Sequence, residues 1–160
     1  MGRIDKENYY LDIAQTVAER STCLRRCYGA ILVRNDEIIA TGYNGAPRGR
    51  KNCVDLNYCT REALNIPSGQ RYELCRSVHA EANCIISASR SEMLGATLYM
   101  ACVNPADGAL IPDSTSCSMC RRTIINAGID RVVIRNTDKD YSVVHVEDWV
   151  REDDSLPRSL

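Results

Sequence analysis

Two segments decide how this chain folds and what chemistry it can support: Val78–Asn83 reads VHAEAN, and Cys117–Cys120 reads CSMC. Each segment is predicted to begin a helix, and together they offer one imidazole and two thiolates. Three such ligands leave one position of a tetrahedral zinc ion for water, which is typical of a hydrolytic centre and not of a structural one. We therefore predict zinc ligation by His79, Cys117 and Cys120.

Glu81 follows His79 by two residues and is not counted as a ligand, so its carboxylate is free to move protons as a general base and acid. Each residue has an alternative interpretation when it is taken alone. Cys117 and Cys120 could be a redox pair or two core thiols, and Glu81 could be a solvated helix charge. The joint occurrence of the two segments favours the hydrolytic zinc centre, with Glu81 as its catalytic residue.

Outside these segments, the sequence predicts alternating strands and helices. Apolar side chains at three- and four-residue spacing predict a helix over residues 5–20, and Asn44–Val78 shows no periodicity. The other predicted elements are strands at 30–34, 38–43, 97–102, 131–135 and 142–146, and helices at 79–90 and 117–127. This alternation predicts an α/β fold with helices packed over a mixed sheet.

The composition is that of an ordinary globular chain, with 44% hydrophobic and 26% charged residues among 160. The net charge of −1 argues against a dedicated nucleic-acid surface, which normally carries a basic excess. No apolar run approaches the length of a membrane helix, so we expect no membrane partner and a cytoplasmic location. One domain is predicted over residues 1–150, followed by a mobile tail at 151–160.

A broader set of motifs runs from Tyr9 to Ile134. Besides the two zinc segments, the set comprises RSTC at 20–23, GYNGAP at 42–47, NC at 52–53, GATLY at 95–99 and IINAGI at 124–129. With H-x-E and C-x-x-C, the signature of zinc nucleobase deaminases, the chain resembles the deoxycytidylate (dCMP) deaminases of the cytidine deaminase superfamily. The resemblance implies a three-layer α/β/α fold with about five strands in its central mixed sheet.

The resemblance also implies hydrolysis of dCMP to dUMP and ammonia, and it assigns substrate contacts. Asn44 is expected at the sugar or base, and the backbone of Ala80 at the pyrimidine carbonyl. The segment from Ser21 to Arg26 is expected near the phosphate, with Arg25 better aligned than Arg26. The alternative for these arginines is a solvated turn. Relatives of this type are often hexamers regulated by dCTP and dTTP with Mg²⁺, so a homo-oligomer and such effectors are further expectations.

Four of the nine cysteines, Cys23, Cys53, Cys59 and Cys75, could form a second, structural zinc site that orders the segment 44–78. Some relatives carry such a zinc at positions matching Cys23 and Cys53, whereas Cys59 and Cys75 are included on spacing alone. The alternative is four small buried thiols. The remaining cysteines outside the catalytic site, namely Cys27, Cys84 and Cys102, are predicted to be core residues.

One position departs from the family pattern, because Ser116 stands where relatives usually have proline. Serine can cap a helix through its hydroxyl, so we expect the helix start to survive and the nearby substrate wall to change shape. Two rival functions stay open at this point. One is a deaminase of another base, such as a tRNA adenosine deaminase, and the other is a non-catalytic zinc domain that binds nucleotides.

Overall fold

The computed structural model describes all 160 residues and contains seven helices and five strands. The helices are α1 (Lys6–Ala18), α2 (Cys53–Leu56), α3 (Thr60–Ala63), α4 (Ala80–Ile86), α5 (Arg90–Met93), α6 (Ser118–Ala127) and α7 (Val146–Arg151). The strands are β1 (Cys27–Arg34), β2 (Glu37–Tyr43), β3 (Thr97–Val103), β4 (Arg131–Arg135) and β5 (Tyr141–His145). A short 3-10 helix, Tyr72–Leu74, precedes α4.

The five strands form one mixed sheet in the order β2-β1-β3-β4-β5. Only β3 and β4 are parallel, and the other neighbouring pairs are antiparallel. A parallel pair needs a crossover connection, and α6 lies in the segment that links β3 to β4. The prediction of a mixed sheet of about five strands is therefore confirmed.

Both faces of the sheet are covered. In β1, Ile31 and Val33 pack against α1, while Ala30 and Leu32 join a larger core with the other helices. This larger core includes Cys84 of α4, Ile124 of α6 and Val146 of α7. Alternate residues of a strand point to opposite faces, so the uninterrupted apolar run in β1 fills two layers. The three-layer α/β/α arrangement is confirmed.

Several helices differ from the sequence prediction. The short helices α2 and α3 lie in the stretch 44–78, where no helix is predicted, and the other differences concern α4, α5 and α7. The helix predicted over 79–90 ends at Ile86, because Ser89 starts α5: its hydroxyl accepts a hydrogen bond from the Glu92 backbone N–H at 3.3 Å. The helix α7 was missed. It carries Trp149, which packs on the larger core and whose ring centre lies 5.0 Å from the guanidinium carbon of Arg121. Six residues are too few for a helical period to be recognised in the sequence.

Residues 152–160 contain no helix or strand and are exposed throughout. One ion pair, Arg121–Asp154 at 3.7 Å, connects this segment with α6. The division into a domain over 1–150 and a mobile tail stays a prediction. None of the helices combines the length and the apolar character that crossing a bilayer requires.

Candidate active site

The position of His79 is set by close packing between α4 and β2. A Cβ atom at Gly42 would lie 2.5 Å from the Ala80 carbonyl oxygen and 2.6 Å from the Cys84 nitrogen, so only glycine lets the helix backbone approach the strand this closely. Gly45 and Val78 are joined by two backbone hydrogen bonds of 3.2 and 2.7 Å. These contacts hold the chain on both sides of His79, which occupies the N-cap position of α4.

The two cysteines are supplied by the start of α6. Cys117 is the N-cap residue, and Cys120 is the third residue of the helix, one turn later. Residues at this spacing lie on the same side of a helix. The free backbone N–H groups and the positive end of the helix dipole favour the thiolate form of cysteines at a helix start. Both sulfur atoms therefore face the same point, as the C-x-x-C spacing predicts.

The three predicted ligands form a group whose ligand atoms all lie within 4.8 Å of one another, and it is the only such group of histidine, cysteine and acidic residues in the chain. His79 Nδ1 lies 3.5 Å from Cys117 Sγ and 3.4 Å from Cys120 Sγ. Tetrahedral zinc with Zn–N near 2.0–2.1 Å and Zn–S near 2.3 Å places N and S about 3.6 Å apart. The donor set and its spacing therefore fit a zinc ion with three protein ligands.

The three proposed ligand side chains shift one another's pKa values. The hydrogen bond from the Cys120 thiol lowers the pKa of Cys117, with His79 as a further cause against the opposing effect of burial. The same pairing with Cys117 raises the pKa of Cys120. Hydrogen bonds with Cys117 and then Cys75 raise the pKa of His79 to about 10. Protons and a metal ion compete for these atoms, so acid weakens metal binding.

Glu81 lies beside the ligand group. It is the second residue of α4, its side chain is 4% exposed, and it lines the cavity onto which His79 and Cys117 also open. The pKa of Cys120 is raised chiefly by Cys117 and by burial, and Glu81 is a further cause. This effect of Glu81 indicates that the Glu81 and Cys120 side chains lie close together. The structure thus brings Glu81 to the metal group without making it one of the clustered ligands.

The cavity has a volume of about 380 Å³, within the usual size range of sites for small ligands. Arg25, Arg26 and Asn44 line it, as the resemblance implies. Among the further lining residues, Tyr28, Arg61 and Tyr72 are not indicated by the sequence. The segment from Asp113 to Ser116 also lines the cavity, next to the substrate wall expected near Ser116. Tyr28 lies in the part of β1 that precedes the predicted strand. Arg61 and Tyr72 lie in a stretch without periodicity, which carries no sequence signal for their position.

Asn44 ties together the segment that carries the two arginines. Its Oδ1 accepts hydrogen bonds from the Tyr28 backbone N–H at 2.9 Å and from the Ser21 hydroxyl at 2.6 Å, and its Nδ2 donates to the Arg26 carbonyl at 2.9 Å. Ser21 is not among the residues that line the cavity, and neither is Ala80. Substrate contacts by Ser21 and the Ala80 backbone stay predictions.

Ser116 does not cap α6 as predicted. Cys117 is the N-cap residue, and the Ser116 hydroxyl lies 3.5 Å from the Met100 sulfur in the core. The Arg121 Nε donates a 3.0 Å hydrogen bond to the Ser116 carbonyl, which orders the segment before Cys117. The helix α6 still begins directly after Cys117, as expected.

The four cysteines of the predicted second zinc site do not form a ligand group with the spacing found around His79. Cys53 is buried, and Cys23, Cys59 and Cys75 are half-buried and line the active-site cavity. Burial, and then the nearby sulfurs of Cys23, Cys59 and Cys75, raise the pKa of Cys53. The four residues are thus neighbours, but their side chains do not converge on one point. Cys27, Cys84 and Cys102 are buried, as predicted for core residues.

A family model described as the cytidine and deoxycytidylate deaminase zinc-binding region matches residues 4–136. A deoxycytidylate deaminase of Mycobacterium phage D29 is 36% identical over 138 residues, which covers 83% of this chain and 96% of that protein. A deoxycytidylate deaminase of Schizosaccharomyces pombe is 35% identical over 127 residues, and the match covers 79% of this chain but only 36% of that longer protein.

Solved structures show the same fold. A dCMP deaminase from the cyanophage S-TIM5, crystallised in apo form, matches with a TM-score of 0.58 and 25% identity, covering 85% of this chain and 86% of that chain. A cytidine deaminase from Burkholderia pseudomallei has the same TM-score at 19% identity, covering 91% of this chain and 95% of that chain. The second likeness concerns the fold alone.

Proposed function

The chain belongs to the cytidine and deoxycytidylate deaminase zinc-binding family, and we propose that it is a zinc-dependent hydrolase that converts dCMP and water to dUMP and ammonia. The observation that carries the proposal is the composition of one cavity. The cavity is lined by two of the three proposed metal ligands, by Glu81, and by Arg25 and Arg26, so that a reacting base and a phosphate can be bound together.

The metal, when bound, supplies the nucleophile by lowering the pKa of water. His79, Cys117 and Cys120 would hold the metal, and the buried Glu81 carboxylate would transfer the protons. Glu81 first accepts a proton from the attacking water and donates it to N3 of the pyrimidine as C4 is attacked. Glu81 then assists proton transfer to the amino group at C4, which leaves as ammonia. One carboxylate therefore acts in turn as base and acid.

Substrate selection is assigned to the segment from Ser21 to Tyr28. Arg25 and Arg26 have exposed side chains that reach the cavity, and guanidinium groups bind phosphate through charge-assisted hydrogen bonds. The neighbouring Tyr28 hydroxyl raises the pKa of Arg26. Because Asn44 holds this segment by three hydrogen bonds, the arginines are presented from a fixed backbone.

The test is ammonia release from cytidine, deoxycytidine, CMP, dCMP and dCTP by the zinc-loaded protein. The proposal expects dCMP to have the highest kcat/KM of the five. A tRNA adenosine deaminase would release ammonia from RNA and leave all five nucleosides and nucleotides unchanged. A non-catalytic nucleotide-binding domain would bind dCMP or dCTP without turnover. Either of these results would reject the proposal.

Finer features of the proposal follow from the family resemblance. We propose a homo-oligomer, with a hexamer as the expected size, and regulation by dCTP and dTTP with Mg²⁺ in a cytoplasmic enzyme. The oligomeric state is tested by measuring the molecular mass in solution, and the regulation by adding dCTP or dTTP with Mg²⁺ to the ammonia-release assay. Nothing in the charge balance of −1 suggests a nucleic-acid partner.

The second zinc at Cys23, Cys53, Cys59 and Cys75 also stays a proposal. The proximity of the four sulfurs supports it, because Cys23, Cys59 and Cys75 lie near enough to Cys53 to contribute, after burial, to its raised pKa. Closing a four-thiolate site requires the half-buried side chains to rotate toward Cys53. Zinc analysis of the purified protein tests this directly: two ions per chain support the second site, and one ion per chain rejects it.

A further inference from the structure

One wall of the active-site cavity is formed by Arg61 and Tyr72, neither of which has a part in the proposed reaction. Arg61 is only 6% exposed. A buried guanidinium needs partners, and Arg61 finds them in the backbone of its own loop. Its Nε donates to the Gln70 carbonyl at 3.0 Å, and its Nη2 donates to the Pro67 carbonyl at 2.8 Å. The side chain is thereby held in one position.

Arg61 in turn holds Tyr72. The guanidinium carbon lies 4.3 Å from the centre of the Tyr72 ring, within the range of a cation–π contact. The Tyr72 hydroxyl accepts a 3.2 Å hydrogen bond from the Gly69 backbone N–H. Tyr72 is therefore restrained both over its ring face and at its hydroxyl, and the restraint comes from the loop that surrounds Arg61.

Tyr72 packs against a metal ligand. The centres of the Tyr72 and His79 rings are 5.0 Å apart and the ring planes meet at 85°, an edge-to-face arrangement that aromatic pairs prefer. The His79 imidazole must keep Nδ1 directed at the two sulfurs. A restrained ring standing perpendicular to it limits rotation of the imidazole out of that orientation. Groups that orient a ligating histidine are known to tune the affinity of metal sites.

We infer that Arg61 and Tyr72 are positioning residues for the zinc site, with Arg61 acting through Tyr72 and Tyr72 acting on the orientation of His79. The inference rests on the proposed zinc-dependent function. The competing role for Arg61 is to bind the substrate phosphate together with Arg25 and Arg26. Two of its nitrogens are committed to backbone carbonyls and its charge lies over the Tyr72 ring, so the geometry favours positioning.

The experiment measures the rate at which zinc passes from the loaded protein to an excess of chelator. Replacing Tyr72→Leu removes the ring, and Arg61→Met removes the charge that holds it. Each variant is expected to release zinc about 10-fold faster than the wild type. This is the low end of the about 10–100-fold loss of metal affinity that follows when groups supporting a metal ligand are removed. Tyr72→Phe keeps the ring and is expected to release zinc at the wild-type rate. Arg71→Met is the matched control, because Arg71 is an exposed arginine of the same loop that pairs with Glu73.

The visible absorption of the Co²⁺-substituted protein gives a second measurement, because it reports the ligand geometry directly. It should change in Tyr72→Leu and Arg61→Met and not in Tyr72→Phe. The double variant should release zinc no faster than Tyr72→Leu alone, since both changes act through one ring. Wild-type zinc release and spectrum in Tyr72→Leu would overturn the inference, and additive effects would overturn the role of Arg61.

The experiment also separates a folding defect, and a failure of the proposed zinc-dependent function, from a failure of the positioning role. If Arg61→Met does not fold, as judged by circular dichroism, the comparison of Tyr72→Leu with Tyr72→Phe decides the role of the ring, and equal zinc release by these two variants rejects it. A wild-type protein that holds no zinc at His79, Cys117 and Cys120 would reject the proposed function as well. Zinc-loaded wild type with unchanged variants rejects the positioning role alone.

Discussion

At the scale of single residues, the site depends on side chains that are already committed to other contacts. Asn44 illustrates this: its amide is occupied by Ser21, Tyr28 and the Arg26 carbonyl, although it lines the cavity. Such a residue acts first by holding the segment that carries the arginines. Arg25 and Arg26 are different, because their exposed side chains are available to bind a phosphate.

The arginines give a prediction at this scale. Arg25→Ala and Arg26→Ala should each raise KM for dCMP by about 10-fold or more, since a hydrogen bond to a charged group contributes about 1.5–3 kcal/mol. Turnover of deoxycytidine should be unaffected, because this substrate has no phosphate. Arg48→Ala, an exposed arginine outside the cavity lining, serves as the control. An equal loss of kcat/KM for dCMP and for deoxycytidine would show that the arginines do not bind the phosphate.

At the scale of secondary-structure elements, the site is a consequence of how α4 meets β2. Gly42 allows the helix backbone to lie against the strand, and this contact places His79 and Glu81 at the edge of the cavity. In the sequence, the motif around Gly42 and Asn44 is recognisable only as a resemblance to the family. Its physical reason is visible only when the helix is seen against the strand.

The prediction for this contact is the substitution Gly42→Ala. The added Cβ meets backbone atoms that cannot rotate away, so overpacking should lower the free energy of unfolding by about 3 kcal/mol or more. Zinc binding should weaken in parallel, because α4 carries His79. Chemical denaturation and zinc titration measure the two effects. Gly2→Ala, where the new Cβ meets nothing within 4 Å, should match the wild type. Wild-type stability in Gly42→Ala would contradict the close approach.

A second element-scale prediction concerns the contact between α1 and the turn joining β1 to β2. The Tyr10 hydroxyl donates to the Asp36 carboxylate, and this hydrogen bond, with Lys6 as a further cause, holds the pKa of Asp36 below 3.8. A depressed pKa gives stability that is present above 3.8 and is lost as the pH falls through the lower folded-state value. Burial raises the pKa of Tyr10 to about 12, so Tyr10 keeps its proton throughout this range.

Asp36→Asn should therefore melt at a lower temperature than the wild type at neutral pH, and the difference should shrink as the pH falls below 3.8 and through the lower folded-state pKa of Asp36. Asn tolerates the left-handed backbone of position 36 (φ 61°), so the turn itself is preserved. Asp138→Asn, at an exposed position, should show no such dependence. A melting difference that persists unchanged in acid would mean that the carboxylate is not the stabilising group.

At the scale of the whole molecule, one buried charge connects α1 with the sheet. Arg135 of β4 is 2% exposed and contacts three residues of α1. Its Nη1 donates to Asp12 at 2.6 Å and to Gln15 at 2.9 Å, and its Nη2 donates to Asn8 Oδ1 at 2.9 Å. The layer formed by α1 is thus held by a polar network as well as by its apolar side.

Removing this charge should loosen the α1 layer. Arg135→Met keeps the length of the side chain but leaves the partners on α1 unpaired, and we expect a loss of about 3 kcal/mol in the free energy of unfolding. Urea denaturation measures it. Arg122→Met, an exposed arginine of α6, should change the stability little. Zinc binding should survive in Arg135→Met below the denaturation transition, because the network lies on the face of the sheet away from α4 and α6.

The sequence allowed the sheet, its mixed character and the three clustered ligands to be predicted, because strand alternation and the H-x-E and C-x-x-C spacings are local patterns. It did not reveal the end of α4 at Ile86, which depends on capping by Ser89, or α7, which is held by Trp149 on the core. The positions of Arg61 and Tyr72 cannot be predicted from the sequence for a related reason. Their positions follow from hydrogen bonds to loop carbonyls, which no periodicity records.

The account depends most on Glu81 as the proton carrier beside a three-ligand zinc ion, and one paired measurement tests it. Zinc content and ammonia release from dCMP are determined on the same preparations of wild type and Glu81→Gln. We predict equal zinc in both, with turnover in Glu81→Gln lower by about 10²–10⁴-fold, the usual contribution of general acid–base catalysis. Zinc-loaded Glu81→Gln that deaminates dCMP at the wild-type rate would contradict the account.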